Sequence, residues 1–90
     1  MGVEKAFILA YASASDDKLA LAGRLLADLA VGETLYLESG EPFLIEQIRA
    51  YRQSFENLCA GMTGELIVSG AEIPLAKGAI FYLSDSDDLI

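Results

Sequence analysis

The clearest periodicity of apolar residues lies between Pro42 and Gly61. Its apolar positions are four, three, four, three and four residues apart, the spacing of one face of an α-helix. Pro42 suits a first helical position, and Gly61 suits a helix end. The pattern predicts a helix whose buried face consists of Leu44, Ile48, Tyr51, Phe55, Leu58 and Met62.

An earlier helix is predicted between Ser15 and Gly32, where nearly all positions are apolar. Ser15 is a suitable N-cap, and Asp16 and Asp17 fall in the first turn, where negative charge meets the positive end of the helix dipole. Gly32 would end the helix. Gly23, in its middle, costs about 1 kcal/mol relative to alanine. We therefore expect Gly23 to permit the close approach of a neighbouring element.

Four stretches have the pattern of β-strands. Leu35 and Leu37 alternate with Tyr36, which indicates a half-buried strand. The other three are apolar without alternation, as in strands covered on both faces. The predicted strands are residues 4–12, 33–38, 64–70 and 78–84.

The predicted order of elements is βαβαββ. We interpret the chain as an α/β domain with a small four-stranded mixed sheet and two helices, ending in a hairpin. A ferredoxin-like α+β arrangement is the alternative.

A local motif supports that alternative. The run F-I-L-A-Y-A-S-A-S-D-D-K, followed by a helix pattern to about residue 28, resembles the opening of the small ferredoxin-like nuclease-related proteins of the CRISPR adaptation machinery. The resemblance implies a ferredoxin-like fold. The acid that follows the strand tyrosine in that family is replaced by Ala12 here, and leucines and alanines replace its basic helix. The resemblance therefore does not extend to the metal site of that family.

Composition indicates one cytoplasmic domain spanning residues 1–90. The chain is 53% hydrophobic with a mean hydropathy of +0.39, more apolar surface than so small a core can hide. We therefore expect self-association, most simply a homodimer. No apolar run approaches the ~20 residues of a membrane-spanning helix, and no signal peptide is apparent. The single Cys59 fits a reducing compartment, and we expect it to be a buried, unreactive thiol.

The formal net charge is −8, and no basic stripe is present, which argues against direct binding to nucleic acid. Acidic charge keeps an apolar small protein soluble. It also suits docking on a protein partner that is basic or itself binds nucleic acid.

Catalytic chemistry has little support in the sequence. The chain has no histidine, so the commonest general base and metal ligand is missing, and no glycine-rich phosphate loop occurs. We therefore expect no cofactor and favour a non-enzymatic role. The one alternative site is a rim of carboxylates beyond adjacent parallel strands, which would suit Mg²⁺. Its members would be Asp16, Asp17, Glu38 and Glu41.

The sequence thus favours a protein–protein interaction module, an adaptor or an inhibitor of the immunity type that acts by binding a macromolecule. A small Mg²⁺-dependent enzyme and a structural subunit of a larger assembly are the alternatives. Residues 85–90 form an acidic tail that either is solvated or docks on a partner. The predicted partner-binding residues are two exposed tyrosines and nearby acids, namely Tyr36, Glu38, Tyr82, Asp85, Asp87 and Asp88.

Overall fold

The computed structural model describes residues 3–15, 18–70 and 75–84, which form nine β-strands and no helix. The strands are β1 (Val3–Ser15), β2 (Lys18–Leu25), β3 (Leu29–Ala30), β4 (Thr34–Leu37), β5 (Pro42–Ala50), β6 (Gln53–Phe55), β7 (Asn57–Leu58), β8 (Thr63–Gly70) and β9 (Ile80–Ser84). The described part accordingly holds no helix of the length and apolarity that crossing a membrane requires.

Six of the strands close into an antiparallel barrel. Each strand pairs with two neighbours in the order β1-β2-β8-β5-β4-β9, and β9 pairs with β1 to complete the ring. β6 extends the sheet beside the end of β5, while β3 and β7 form a separate two-stranded sheet. Closure gives each of the six strands a hydrogen-bonded neighbour on both sides for at least part of its length, which leaves few free edges.

Apolar side chains from all six barrel strands fill the interior. Phe81 packs edge-to-face against Phe7 and Phe43, with ring centroids 6.0 and 5.5 Å away. No polar or charged side chain is buried among the described residues. Because small barrels are filled by their own side chains, binding surfaces must lie on the outside. The other large side chains that are fully buried are Leu9, Leu21, Leu25, Leu29, Leu35, Ile45, Ile48, Leu66 and Val68.

The predicted α/β fold is wrong, and so is the ferredoxin-like alternative, because both place helices where the chain forms strands. In β2, Leu21, Gly23 and Leu25 are buried, while Ala22 is half-buried and Arg24 is exposed. Inward and outward positions therefore alternate along β2, as expected for a barrel strand. Because alanines occupy outward positions, apolar and polar residues do not alternate clearly in the sequence of β2, and the stretch resembles an apolar helix.

The second predicted helix fails because β5 contains a β-bulge. Phe43 and Ile45 face the interior before the bulge, and Ile48 and Ala50 face it afterwards. The bulge, between Ile45 and Gln47, changes which positions point inward. Buried residues therefore recur at a mixed spacing of two and three residues, which conceals the period of two, and Ile48 is the one residue of the predicted seam that is buried in β5.

Exposure and backbone angles confirm that this stretch has no helical seam. Leu44 and Tyr51, assigned to the buried face, are 40% and 72% exposed. Tyr51 and Arg52 form the two-residue connection from β5 to β6 and have φ angles of 53° and 64°. Positive φ at both positions fits a type I′ hairpin turn. Gly32 and Gly61, predicted as helix ends, have φ angles of 98° and 90° and occupy turns between strands.

The four predicted strands are confirmed as strands. β1, β4, β8 and β9 cover most of residues 4–12, 33–38, 64–70 and 78–84. The predicted faces of β4 are also correct, because Leu35 and Leu37 pack against the core and Tyr36 does not. The parallel arrangement is wrong, since every barrel pairing is antiparallel.

Cys59 is exposed, so the expectation of a buried thiol is wrong. It lies just after β7, at the start of a turn in which the Met62 amide donates to the Cys59 carbonyl at 3.2 Å. The apolar seam that suggested its burial does not exist.

Candidate functional site

Tyr36 and Tyr82 face each other on the outer surface of the barrel. They are direct partners in the pairing of β4 with β9, and both are half-buried. Their neighbours Leu35 and Phe81 point inward and are fully buried, so the two tyrosines point outward. Two aromatic side chains that sequence analysis predicted as partner contacts therefore share one surface.

A groove with a volume of about 570 Å³ runs beside Tyr82. One wall is the end of β4 with the following turn, and it contributes Leu37, Glu38 and Ser39. The other wall is the start of β9 with the residues before it. We call this surface, formed by Tyr36 together with the lining residues Leu37, Glu38, Ser39, Gly78, Ala79, Ile80 and Tyr82, the tyrosine groove.

Hydrogen bonds fix the turn that carries Glu38. The Gly40 amide donates to the Leu37 carbonyl at 2.8 Å, and the Leu37 amide donates to the Glu41 carbonyl at 3.1 Å. The Ser39 hydroxyl donates to the Glu41 carboxylate. Gly40 has a φ of 102°, which suits the last position of a three-residue hairpin loop. The backbone that presents Glu38 is thus held in one conformation.

The opposite wall is fastened to β1. The Gly78 amide donates to the Leu9 carbonyl at 2.7 Å, and the Leu9 amide donates to the Ala79 carbonyl at 2.9 Å. A further bond of 3.0 Å from the Ala79 amide to the Ala76 carbonyl closes the turn. Beneath the groove, the Phe81 ring packs edge-to-face against two other phenylalanine rings. Both walls therefore rest on the packed core, which preorganises the surface for binding.

Several other carboxylates serve the fold itself. Asp28 accepts a hydrogen bond of 2.8 Å from the Ala60 amide, and Glu33 accepts one of 2.8 Å from the Ala30 amide. Among the described residues, Glu38 makes no side-chain hydrogen bond or ion pair. Within that part of the chain, no side chain compensates the charge of Glu38.

An exposed ion pair joins two non-adjacent strands away from the groove. The Lys18 ammonium lies 2.6 Å from the Glu46 carboxylate, and this contact links β2 to β5. Hydrogen bonds from Lys18 and then Ser69, which lies on β8 between them, hold the pKa of Glu46 below its usual value. The Glu46 charge is thus already compensated within the fold.

The structure brings together some of the predicted site residues and does not describe others. Glu38 and Tyr82 both line the groove, and Tyr36 is the strand partner of Tyr82 next to it. Glu41 lies in the same turn as Glu38 but binds Ser39. The remaining predicted residues, Asp16, Asp17, Asp85, Asp87 and Asp88, lie outside the described residues, as does the whole of the tail at 85–90.

The antiparallel barrel removes the reason for expecting a rim of carboxylates. We expected its acids to converge because adjacent parallel strands end at one edge, but the barrel strands are antiparallel. Within the described ranges, no group of three or more aspartate, glutamate or cysteine side chains is arranged to hold a metal ion. Metal binding that involves Asp16 and Asp17 stays a prediction.

Ile80 and Ala79 belong to the groove but were not predicted. The run A-I-F-Y-L contains no charged residue, and apart from Tyr82 nothing in it indicates which side chains point outward. The pairing of Phe81 with Phe7 fixes the phase of β9, and with it the outward direction of Ile80 and Tyr82.

No model of a known protein family matches the chain, and no curated protein matches it at a significant level.

Proposed function

We propose that this chain is a non-enzymatic protein–protein interaction module, an adaptor or inhibitor that binds a macromolecular partner through the tyrosine groove. The observation that carries the proposal is the pairing of Tyr36 with Tyr82, next to a groove that Glu38 lines. Tyrosine is among the residues that dominate binding energy at interfaces, because its ring is large, rigid and amphipathic.

The chemistry of the groove defines the partner. Ile80, with parts of Ala79 and Leu37, offers apolar surface between Tyr82 and the turn. Glu38 adds one negative charge at the edge, in a chain whose net charge is −8. We infer that the partner inserts an apolar side chain flanked by a lysine or arginine. The overall acidic charge speeds the encounter with such a basic surface.

Substitution at the groove tests this proposal. Tyr36→Ala and Tyr82→Ala should each weaken binding of the captured partner by about 30-fold, the loss typical of an interface hot spot. Glu38→Gln should act mainly on the association rate and lose its effect in high salt. The measurement is capture from a host lysate with the tagged chain, identification by mass spectrometry, and binding kinetics with the purified partner.

Matched controls lie elsewhere on the barrel. Tyr11 is 65% exposed on β1, so Tyr11→Ala removes an equivalent side chain outside the groove. Glu56→Gln removes one exposed carboxylate between β6 and β7. Both should leave binding unchanged. Equal losses in groove and control variants would contradict the proposal.

A further inference from the structure

One half of β1 has a neighbouring strand on only one side. Residues 3–8 pair with β9, and the backbone of Leu9 is hydrogen-bonded to Gly78 and Ala79 in the turn before β9. Residues 11–15 pair with β2, and no other described residue forms a backbone hydrogen bond with them on the opposite side. We call residues 11–15 the open edge of β1.

The register of β1 and β2 shows which backbone groups point away from β2. Ser15 and Lys18 are register partners with only two residues between them, so this pair exchanges both of its hydrogen bonds. Such pairs alternate along an antiparallel ladder, so Ser13 also bonds to β2. The amides and carbonyls of Ala12 and Ala14 therefore point to the open side.

The open edge of β1 lacks the features that keep exposed strands apart. Exposed edges are usually protected by lysine, proline, an inward-pointing charge or a bulge. Residues 11–15, Y-A-S-A-S, contain no charged residue and no proline. The irregularity in register between Leu9 and Tyr11 comes before most of this segment. Ser13 and Ala14 are exposed, so a further strand can approach without displacing packed side chains.

We propose that the open edge pairs with the open edge of a second copy of this chain, antiparallel about a two-fold axis at Ser13. The run Ala12-Ser13-Ala14 is the same in both directions, so the axis sets Ala12 opposite Ala14 and Ser13 opposite its own copy. Each Ala12–Ala14 pair exchanges two backbone hydrogen bonds. Because these side chains are small, the two backbones can reach the spacing of about 4.8 Å found within a sheet.

Charge distinguishes a second copy from a basic partner at this edge. The chain has a net charge of −8, but residues 11–15 carry no charge, so two acidic copies meet without opposing like charges across the strands. The remaining long-range repulsion between the copies is screened by salt, so dimerisation should strengthen as salt rises. Binding at the tyrosine groove should have the opposite dependence, because Glu38 attracts a basic partner.

Sedimentation equilibrium of the whole chain tests the proposal. We expect a monomer–dimer equilibrium with a Kd of about 0.1 to 1 mM, which is the strength of a few net hydrogen bonds. Dimerisation should be at least about twofold tighter in 0.5 M than in 0.05 M salt. A monomer at about 2 mM protein, or weaker dimerisation in high salt, would overturn the proposal.

Proline at position 14 tests the role of the backbone. The Ala14 amide points away from β2, so Ala14→Pro removes a donor to the second copy and none to β2. It should weaken dimerisation at least about tenfold while circular dichroism shows that the fold persists. Ala14→Ser keeps the amide and should dimerise as the unchanged chain does. Unchanged dimerisation of a folded Ala14→Pro variant would refute the assigned edge.

A disulfide trap locates the two-fold axis without relying on proline. Cys59 is the free, exposed thiol of the chain, so the background is Cys59→Ser. Ser13→Cys should then form a covalent dimer under mild oxidation, because partners at a non-hydrogen-bonded position lie about 4.5 Å apart. Tyr11→Cys should not, since its two copies would lie four residues out of register, about 13 Å apart. Failure of Ser13→Cys to cross-link, or equal cross-linking of both variants, would contradict the axis.

The outcome is separate from that of the tyrosine groove. Tyr36 and Tyr82 lie on β4 and β9, outside the open edge of β1. Tyr36→Ala and Tyr82→Ala should therefore leave dimerisation unchanged even where they abolish binding of the partner. Loss of dimerisation in these two variants would place the contact at the groove and overturn the assignment to β1.

Discussion

Gly23→Ala should destabilise the protein by about 3 kcal/mol, because a single methyl group cannot be placed between β1 and β2. The added Cβ would lie 2.1 Å from the Ile8 carbonyl oxygen and 2.9 Å from the end of the Phe7 ring. The Ile8 carbonyl is part of the backbone and cannot rotate aside. Strand β1 would have to move, and the aromatic core with it. Urea denaturation followed by circular dichroism measures the change.

The sign of this effect separates the barrel from the helical interpretation. In the interior of a helix, the same substitution would stabilise the protein by about 1 kcal/mol. Gly32→Ala is the matched control, because nothing lies within 4 Å of its added Cβ and only its φ of 98° opposes the change. That strain costs about 1 kcal/mol. A stabilised Gly23→Ala variant would contradict the barrel.

Phe81→Ala should cost about 3 to 5 kcal/mol, the usual loss for a fully buried phenylalanine. Phe81 is completely buried and joins the rings of Phe7 and Phe43, so its removal empties the centre of the core. Small domains are stable by only about 5 to 15 kcal/mol in total. The variant should therefore be at the edge of unfolding at room temperature, as thermal and urea melts would show.

The adjacent tyrosine provides the control for this experiment. Tyr82 is half-buried and points outward, so Tyr82→Ala should cost well under half as much as Phe81→Ala. The pair of variants thus separates stability from binding. Phe81→Ala should weaken the fold, while Tyr82→Ala should weaken partner binding in a folded protein. A larger loss of stability in Tyr82→Ala would show that the two faces of β9 are assigned the wrong way round.

Local pattern was sufficient for the strands that are regular. In β4, Leu35 and Leu37 alternate with Tyr36, and the period of two survives in the structure. Local pattern did not predict β5, where the bulge between Ile45 and Gln47 shifts the buried positions by one residue. A bulge is set by the partner strand, so the sequence of β5 alone does not reveal it.

Outward alanines caused the other error. Ala20 and Ala22 are half-buried on the outer side of β2, and alanine favours helices in sequence-based reasoning. The pairing with β1 and β8 overrides that preference, since it gives β2 two hydrogen-bonded neighbours and buries Leu21 and Leu25. The expectation drawn from Gly23 is confirmed, because it lies close to a neighbouring element. That element is a strand, β1.

The candidate site was predictable in composition but not in arrangement. Tyr36, Tyr82 and Glu38 stood out as an aromatic pair and an acid in an acidic chain. That they adjoin one another depends on the pairing of β4 with β9, which are far apart in sequence. Long-range register of this kind follows from barrel closure, and no local pattern encodes it.

The most direct test of the account is the contact between β4 and β9, because that pairing both closes the barrel and forms the tyrosine groove. Barrel closure predicts nuclear Overhauser effects between backbone protons of Tyr36 and Tyr82, whose Cα atoms should lie about 5 Å apart as antiparallel partners. Absence of these effects, together with helical contacts between residues three apart within 18–25 and 44–58, would contradict it.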